Sequence, residues 1–74
     1  MMNSNYKNEM ASAHQFLVDH NYDYELLHFI AQMQANSDLY LHSERWSIIY
    51  DWMKEHYPEV TGSVITGLTY YCES

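Results

Sequence analysis

Five histidines, one cysteine and ten carboxylates are the groups in this chain that could do chemistry. Glu25 and His28 stand at i and i+3, the spacing that places two ligands on one helix face in di-iron bundles. Such a site needs two of these pairs and two further carboxylates, whereas this chain has one pair, which only a homodimer would double. The apolar positions nearby, Tyr22, Leu26, Phe29, Ile30 and Met33, fall on the other side of a helix, so Glu25 and His28 are expected to face solvent. Neither a metal nor any other cofactor is therefore expected, and a metal-binding bundle is the weakest of the readings. His42 and Ser43 are adjacent and point in different directions on a helix, and no Gly-x-Ser-x-Gly elbow exposes a nucleophile. Cys72 lies two residues from the end of the 74-residue sequence, where fraying works against a held catalytic geometry. There is no glycine-rich phosphate loop, and the chain is short for a cleft of several hundred cubic ångströms, about the size of a small-molecule site. These residues imply binding rather than catalysis, and no catalytic residue is assigned.

The richest binding pattern lies between positions 44 and 55. With Glu44 at zero and about 100° per residue, Trp46, Ile49, Tyr50 and Met53 centre near 190°, while Glu44, Asp51 and Glu55 fall within about 20° of the opposite pole. An acidic column is thus expected down the outer face, although Asp51 and Glu55 are like charges at i and i+4 and cost the helix a few tenths of a kcal/mol. Ile48 falls near 40° and Trp52 near 80°, so two large apolar groups flank the acids, away from the expected core stripe. A helix apolar on two sides is either central in its fold or part of an interface. On the interface reading, Glu44, Ile48, Asp51, Trp52 and Glu55 are the candidate partner-binding residues: the acids steer a basic partner and the tryptophan anchors it.

Four segments must position these groups. The first carries Tyr6, Met10, Ala13 and Leu17 at helical steps, with Phe16 beside them, Asn3, Ser4 and Asn5 as caps, and Asn21 as the stop. The second repeats the pattern with Tyr22, Leu26, Phe29 or Ile30, and Met33; Asn21 or Asp23 caps it and it ends near Asn36. The stretch from Asn36 to His42 reads as a loop or weak turn. The third helix starts near Ser43 and stops at Tyr57, because Pro58 disfavours helical geometry in the residue before it. Residues 60–71 are ambiguous: Val60, Thr61, Val64, Ile65, Thr66 and Thr69 favour a strand, while Val60, Val64, Leu68 and Tyr71 keep helical steps and Pro58 suits a first turn. A lone strand would lack a partner, so a helix is expected. The chain is read as one all-α domain over residues 1–74, a small bundle of three to four short helices. His14, His28, His42 and His56 are evenly spaced, but their neighbours do not repeat, so no internal repeat is inferred.

Charge narrows the partners. Ten acids against three bases give a net charge of −7. Lys7, Arg45 and Lys54 cannot form a patch that neutralises phosphates, so nucleic acid is not an expected partner and a basic protein surface is favoured. Charge alone is equally consistent with a role in solubility. No run approaches the roughly 20 apolar residues of a membrane span and the start MMNSNYKNEM lacks the features of a signal peptide, so a cytoplasmic location, in the producing or host cell, is expected. Hydrophobic residues at 47% and aromatics at 16% are enough to fold. With one cysteine, no disulfide forms within one chain. Short, acidic, aromatic-rich and without a catalytic motif, the profile resembles in type the small inhibitors of phages and mobile elements that occupy basic, often nucleic-acid-binding, surfaces of host proteins. That resemblance implies an inhibitor that mimics a phosphate backbone. The alternative is a structural or regulatory homodimer in which Ile48 and Trp52 bury against a second copy.

Overall fold

Four helices and a single 3-10 turn follow one another in the order α1 (Ser4–Asp19), α2 (Tyr24–Ala35), the 3-10 turn Ser37–Leu39, α3 (His42–His56) and α4 (Gly62–Tyr71), with no strand among the described residues. This computed structural model describes residues 4–73, with side chains from Lys7 onward. The expected caps Asn3, Ser4 and Asn5 and the stripe residue Tyr6 lie outside the described side chains. The all-α expectation holds, and the ambiguous last segment is a helix.

The breaks have local causes. α1 ends where Asn21 and Tyr22 both take left-handed backbone, with φ of 56° and 51°. Asparagine tolerates that region readily, a tyrosine much less so. Tyr22 therefore stands outside α2 and is 46% exposed, which corrects its expected place in the α2 stripe. The Asp23 side chain makes no capping bond to α2, and its carboxylate instead accepts a hydrogen bond from the Tyr57 hydroxyl at 2.7 Å. α3 begins with the Leu41 amide donating to Glu44 Oε1 at 2.8 Å and ends before Pro58, as the proline requires. α4 starts later than the position of Pro58 suggested. Its cap is Thr61, whose hydroxyl accepts from the Val64 amide at 3.3 Å, and residues 57–61 form the connection.

α4 packs against each of the other three helices. It is the most apolar, burying Val64, Ile65, Gly67, Leu68 and Thr69, and the Thr69 hydroxyl is satisfied by donating to the Ile65 carbonyl at 2.9 Å. Ala13 and Leu17 of α1, Leu26, Ile30 and Met33 of α2, and Ile49 and Met53 of α3 close one core around it. This burial overrides the β-branched composition of α4, since a helix is stabilised mainly by packing its apolar face rather than by intrinsic preference. The molecule measures 31 × 27 × 17 Å, and α4 is its most enclosed helix, with only Gly62 and Ser63 exposed.

Arg45 holds the α2–α3 connection in place. It is 6% exposed, and its Nη2 donates to the carbonyls of Ser37 at 2.7 Å and Tyr40 at 3.0 Å. Its Nη1 lies 3.6 Å from the Glu73 carboxylate, which also pairs with His42. The guanidinium thereby ties the 3-10 turn to the C-terminal segment. Nothing in the residue pattern marked Arg45 as internal.

Candidate functional site

Burying Arg45 turns α3 about its axis. The buried residues Arg45, Ile49 and Met53 centre near 140° on the scale used above, about 50° from the expected 190°. Two expectations shift with it. Tyr50, placed in the core stripe, is 38% exposed and stacks on the half-buried Trp46. Ile48 and Trp52, placed away from the core, are half-buried and pack against its edge. Asp51 and Glu55 point outward as expected, while Glu44 is exposed but spends one carboxylate oxygen on the start of α3. The five proposed contact residues therefore share a helix without sharing one environment.

Trp52 belongs to a ring stack that joins α3 to α2. Phe29 lies parallel to it at 4.2 Å and 4°, and His56 at 4.0 Å and 16°. Two rings so close and so parallel cannot share one face of the indole, so Trp52 is sandwiched and shows only its edge. Its indole N–H has no partner among the described residues and is not buried, whereas that of Trp46 donates to Thr66 Oγ1 at 3.1 Å.

Beside this stack runs an open groove of about 540 Å³ between α2 and α3. Positions 24, 25, 28, 29 and 32, within an arc of about 140° on α2, supply Tyr24, Glu25, His28, Phe29 and Gln32; Trp52 and His56, one turn apart, supply the α3 wall. The expectation that the chain is too short for a cleft of this size is thus wrong for an open one. Large rings bridge the two helices and leave space beside the bridge. Tyr24 stacks on His28 at 5.8 Å and is otherwise 77% exposed. Glu25 and His28 are exposed, as expected, and Gln32 Nε2 donates to His28 Nε2 at 3.3 Å. Among the described residues no three His, Cys, Asp or Glu side chains are grouped to hold a metal ion.

His56 also borders a second cleft of about 420 Å³, lined on the α1 side by Phe16 and His20. There Tyr57 meets the Phe16 and His20 rings edge-on at 5.2 and 4.9 Å. Burial, then the hydrogen bond to Asp23, then the charges of Asp23 and Glu25 push the Tyr57 phenol up to about 12. The Cys72 thiol is pushed up to about 11, chiefly by burial, with Arg45 opposing and Glu73 adding to the rise. Cys72 is fully buried at the end of α4 rather than frayed, and a thiol in that state is a poor nucleophile near neutral pH.

No protein-family model, curated protein or solved structure matches the chain. Among the described residues no helix is long and apolar enough to cross a membrane.

Proposed function

We propose that this chain is a small acidic interaction module that binds and blocks a basic surface of another protein, one that otherwise serves nucleic-acid phosphates. The carrying observation is the fate of the three cations. Arg45 is buried in bonds to carbonyls, and Lys54 is half-buried with its ammonium donating to the Val60 carbonyl at 3.1 Å. Lys7 alone is exposed, whereas nine of the ten acids are exposed and Glu9 is half-exposed. Sequence charge understates how one-signed this surface is. A field of one sign steers a partner of the other, and acids on rigid helices hold fixed positions for it. Binding rather than catalysis also fits a buried thiol and histidines that stack on rings.

The test is capture from a host lysate by the parent and by a variant carrying Glu44→Gln, Asp51→Asn and Glu55→Gln, both checked for folding. A partner retained by the parent, lost by the folded variant and released by rising salt supports the reading. Retention indifferent to both charge and salt removes it.

One observation favours self-association as a second reading, through a different surface from Ile48 and Trp52. Tyr24, Leu27, Ala31 and Ala35 line the outer face of α2 within about 80°, all exposed and none charged. In a protein of charge −7 this is a surface on which two copies could meet without facing acids. Sedimentation of Leu27→Glu beside the parent decides it: a dimer that becomes monomeric supports this reading, and a monomeric parent ends it.

A further inference from the structure

We propose that the α2–α3 groove seats the guanidinium of one arginine side chain presented by the basic partner, an inference that rests on the function proposed above. The groove has the right polarity. Glu25 is its one carboxylate, no lysine or arginine lines it, and Glu25 has no hydrogen bond or ion pair within the described residues.

Two further polar groups, on His56 and Gln32, present acceptors because of bonds the fold already makes. His56 Nδ1 lies 2.9 Å from the Trp52 carbonyl, which can only accept, so Nδ1 carries the proton and Nε2 of the neutral ring keeps its lone pair. Gln32 uses its NH₂ on His28 Nε2, which leaves its amide oxygen as an acceptor. Glu25, Gln32 and His56, which carry a carboxylate, an amide oxygen and an imidazole nitrogen, thus line one aromatic-walled groove. Guanidinium is the natural complement: it offers five donors and no acceptor, it is planar, and it is weakly hydrated enough to leave water for ring faces. The free face of Tyr24 provides such a surface. An ammonium is compact, strongly hydrated and does not stack, so lysine fits less well. The unbonded Trp52 N–H is left for a backbone carbonyl of the same incoming segment.

A second copy of this chain cannot be the occupant. Its only arginine is Arg45, which is buried and bonded inside the fold. A phosphate-bearing ligand is repelled by Glu25 and meets no cation. That leaves an arginine on a different protein.

The test uses the full chain and three blocked tripeptides, acetyl-Gly-X-Gly-amide with X as arginine, lysine or citrulline, together with a polyarginine peptide, followed by the indole N–H resonances of both tryptophans. Citrulline keeps the shape of arginine and removes its charge. The expected result is a saturable shift of the Trp52 indole by the arginine tripeptide with Trp46 unmoved, weaker binding of lysine and citrulline, and about tenfold weaker arginine binding by a Glu25→Gln variant that remains folded. If polyarginine binds in low salt while Trp52 stays unmoved and Glu25→Gln binds like the parent, the seat is wrong and the acidic-surface reading stands. Citrulline binding as well as arginine also overturns the seat. If polyarginine does not bind even in low salt, both the seat and the reading beneath it fail.

Discussion

The α1–α4 seam and the α2–α3 seam are built from opposite kinds of residue. At the first, Gly67 meets α1 so closely that an added Cβ would lie 2.0 Å from the Glu9 carbonyl oxygen and 2.8 Å from Ala13 Cβ. Glycine and alanine let two backbones touch, and no space remains between them. At the second, Phe29 and Trp52 span the gap ring against ring, and a groove of about 540 Å³ opens beside them. Small residues make a seam that only holds the fold, whereas large flat ones hold two helices together while keeping polar atoms reachable. On the function proposed above, stability belongs to the α1–α4 side of the molecule and recognition to the α2–α3 side.

The sharpest way to break that assignment is Gly67→Ala. The obstruction is backbone, which cannot rotate aside, so the overpacking cost reaches or exceeds about 3 kcal/mol and outweighs the roughly 1 kcal/mol that alanine gains over glycine in a helix. A core of this size rarely supplies more than about 3–5 kcal/mol, so the variant is expected to be largely unfolded in urea titration at room temperature. A melting temperature equal to the parent's would show that the α1–α4 seam gives way easily and that the contrast is not one of tight against open.

Trp52→Ala tests the other seam and should cost less. A fully buried Trp→Ala change costs about 3–5 kcal/mol; Trp52 is half-buried but stacked on both faces, so about 2 kcal/mol is expected, leaving a folded protein with a wider groove. Unfolding as complete as that of Gly67→Ala would make Trp52 a core residue, and the groove a by-product of packing.

Much of the fold beneath this contrast is readable in the sequence, whereas the contrast itself is not, and the missing part has a physical cause. Apolar periodicity places the first three helices, the lack of a partner strand decides the fourth, and the helical steps predict burial of Leu17, Leu26, Met33, Ile49, Met53 and Leu68, because core contacts repeat with the helical period. The left-handed stop at Asn21 and the break before Pro58 were equally legible, since each depends on one residue's own backbone preference. What hydropathy misses is a buried cation. Arg45 counts as polar in any periodicity, yet its bonds to the Ser37 and Tyr40 carbonyls draw it inward and turn α3. That rotation half-buries Trp52, which already stacks on His56 one turn along α3, and brings it onto Phe29, a residue far away in the chain. The groove and its Glu25, Gln32 and His56 acceptors follow from these contacts. The i, i+3 spacing of Glu25 and His28 reads as a metal signal in the sequence, whereas in the fold both residues border an aromatic groove.

A smaller effect is expected where the open side is clasped shut at one end. Tyr57→Phe removes the hydrogen bond to Asp23 at a cost of about 1 kcal/mol. The phenol is neutral in the fold up to about 12 but releases its proton near its ordinary value of 10 when the chain unfolds. Its contribution is therefore fully present below pH 10 and is lost as pH rises through about 12. The stability difference between parent and variant should stay constant from pH 7 to 9 and shrink above 10 in chemical unfolding. A gap that widens with alkalinity would mean that Asp23 and Tyr57 are not joined as described.

The smallest effects are expected from the acids of α3, and their signs separate a carboxylate used by the fold from those free for a partner. Glu44 accepts the Leu41 amide at the start of the helix, where a negative charge is also favoured by the helix dipole, so Glu44→Gln should cost about 0.5–1 kcal/mol. Asp51 makes no bond within the described residues and stands one turn from Glu55, so Asp51→Asn removes a repulsion and should raise stability by a few tenths of a kcal/mol. Both changes are measurable by melting the two variants beside the parent at low and high salt, and the gain from Asp51→Asn should fade as salt screens the pair. A chain that stabilises when an acid is removed carries that acid at a cost to its own fold, which is the pattern expected of a charge placed to meet a basic surface. If Asp51→Asn instead destabilises the helix by as much as Glu44→Gln, the charge serves the fold, and the acidic face of α3 is no better evidence for a partner than any other solvated helix surface.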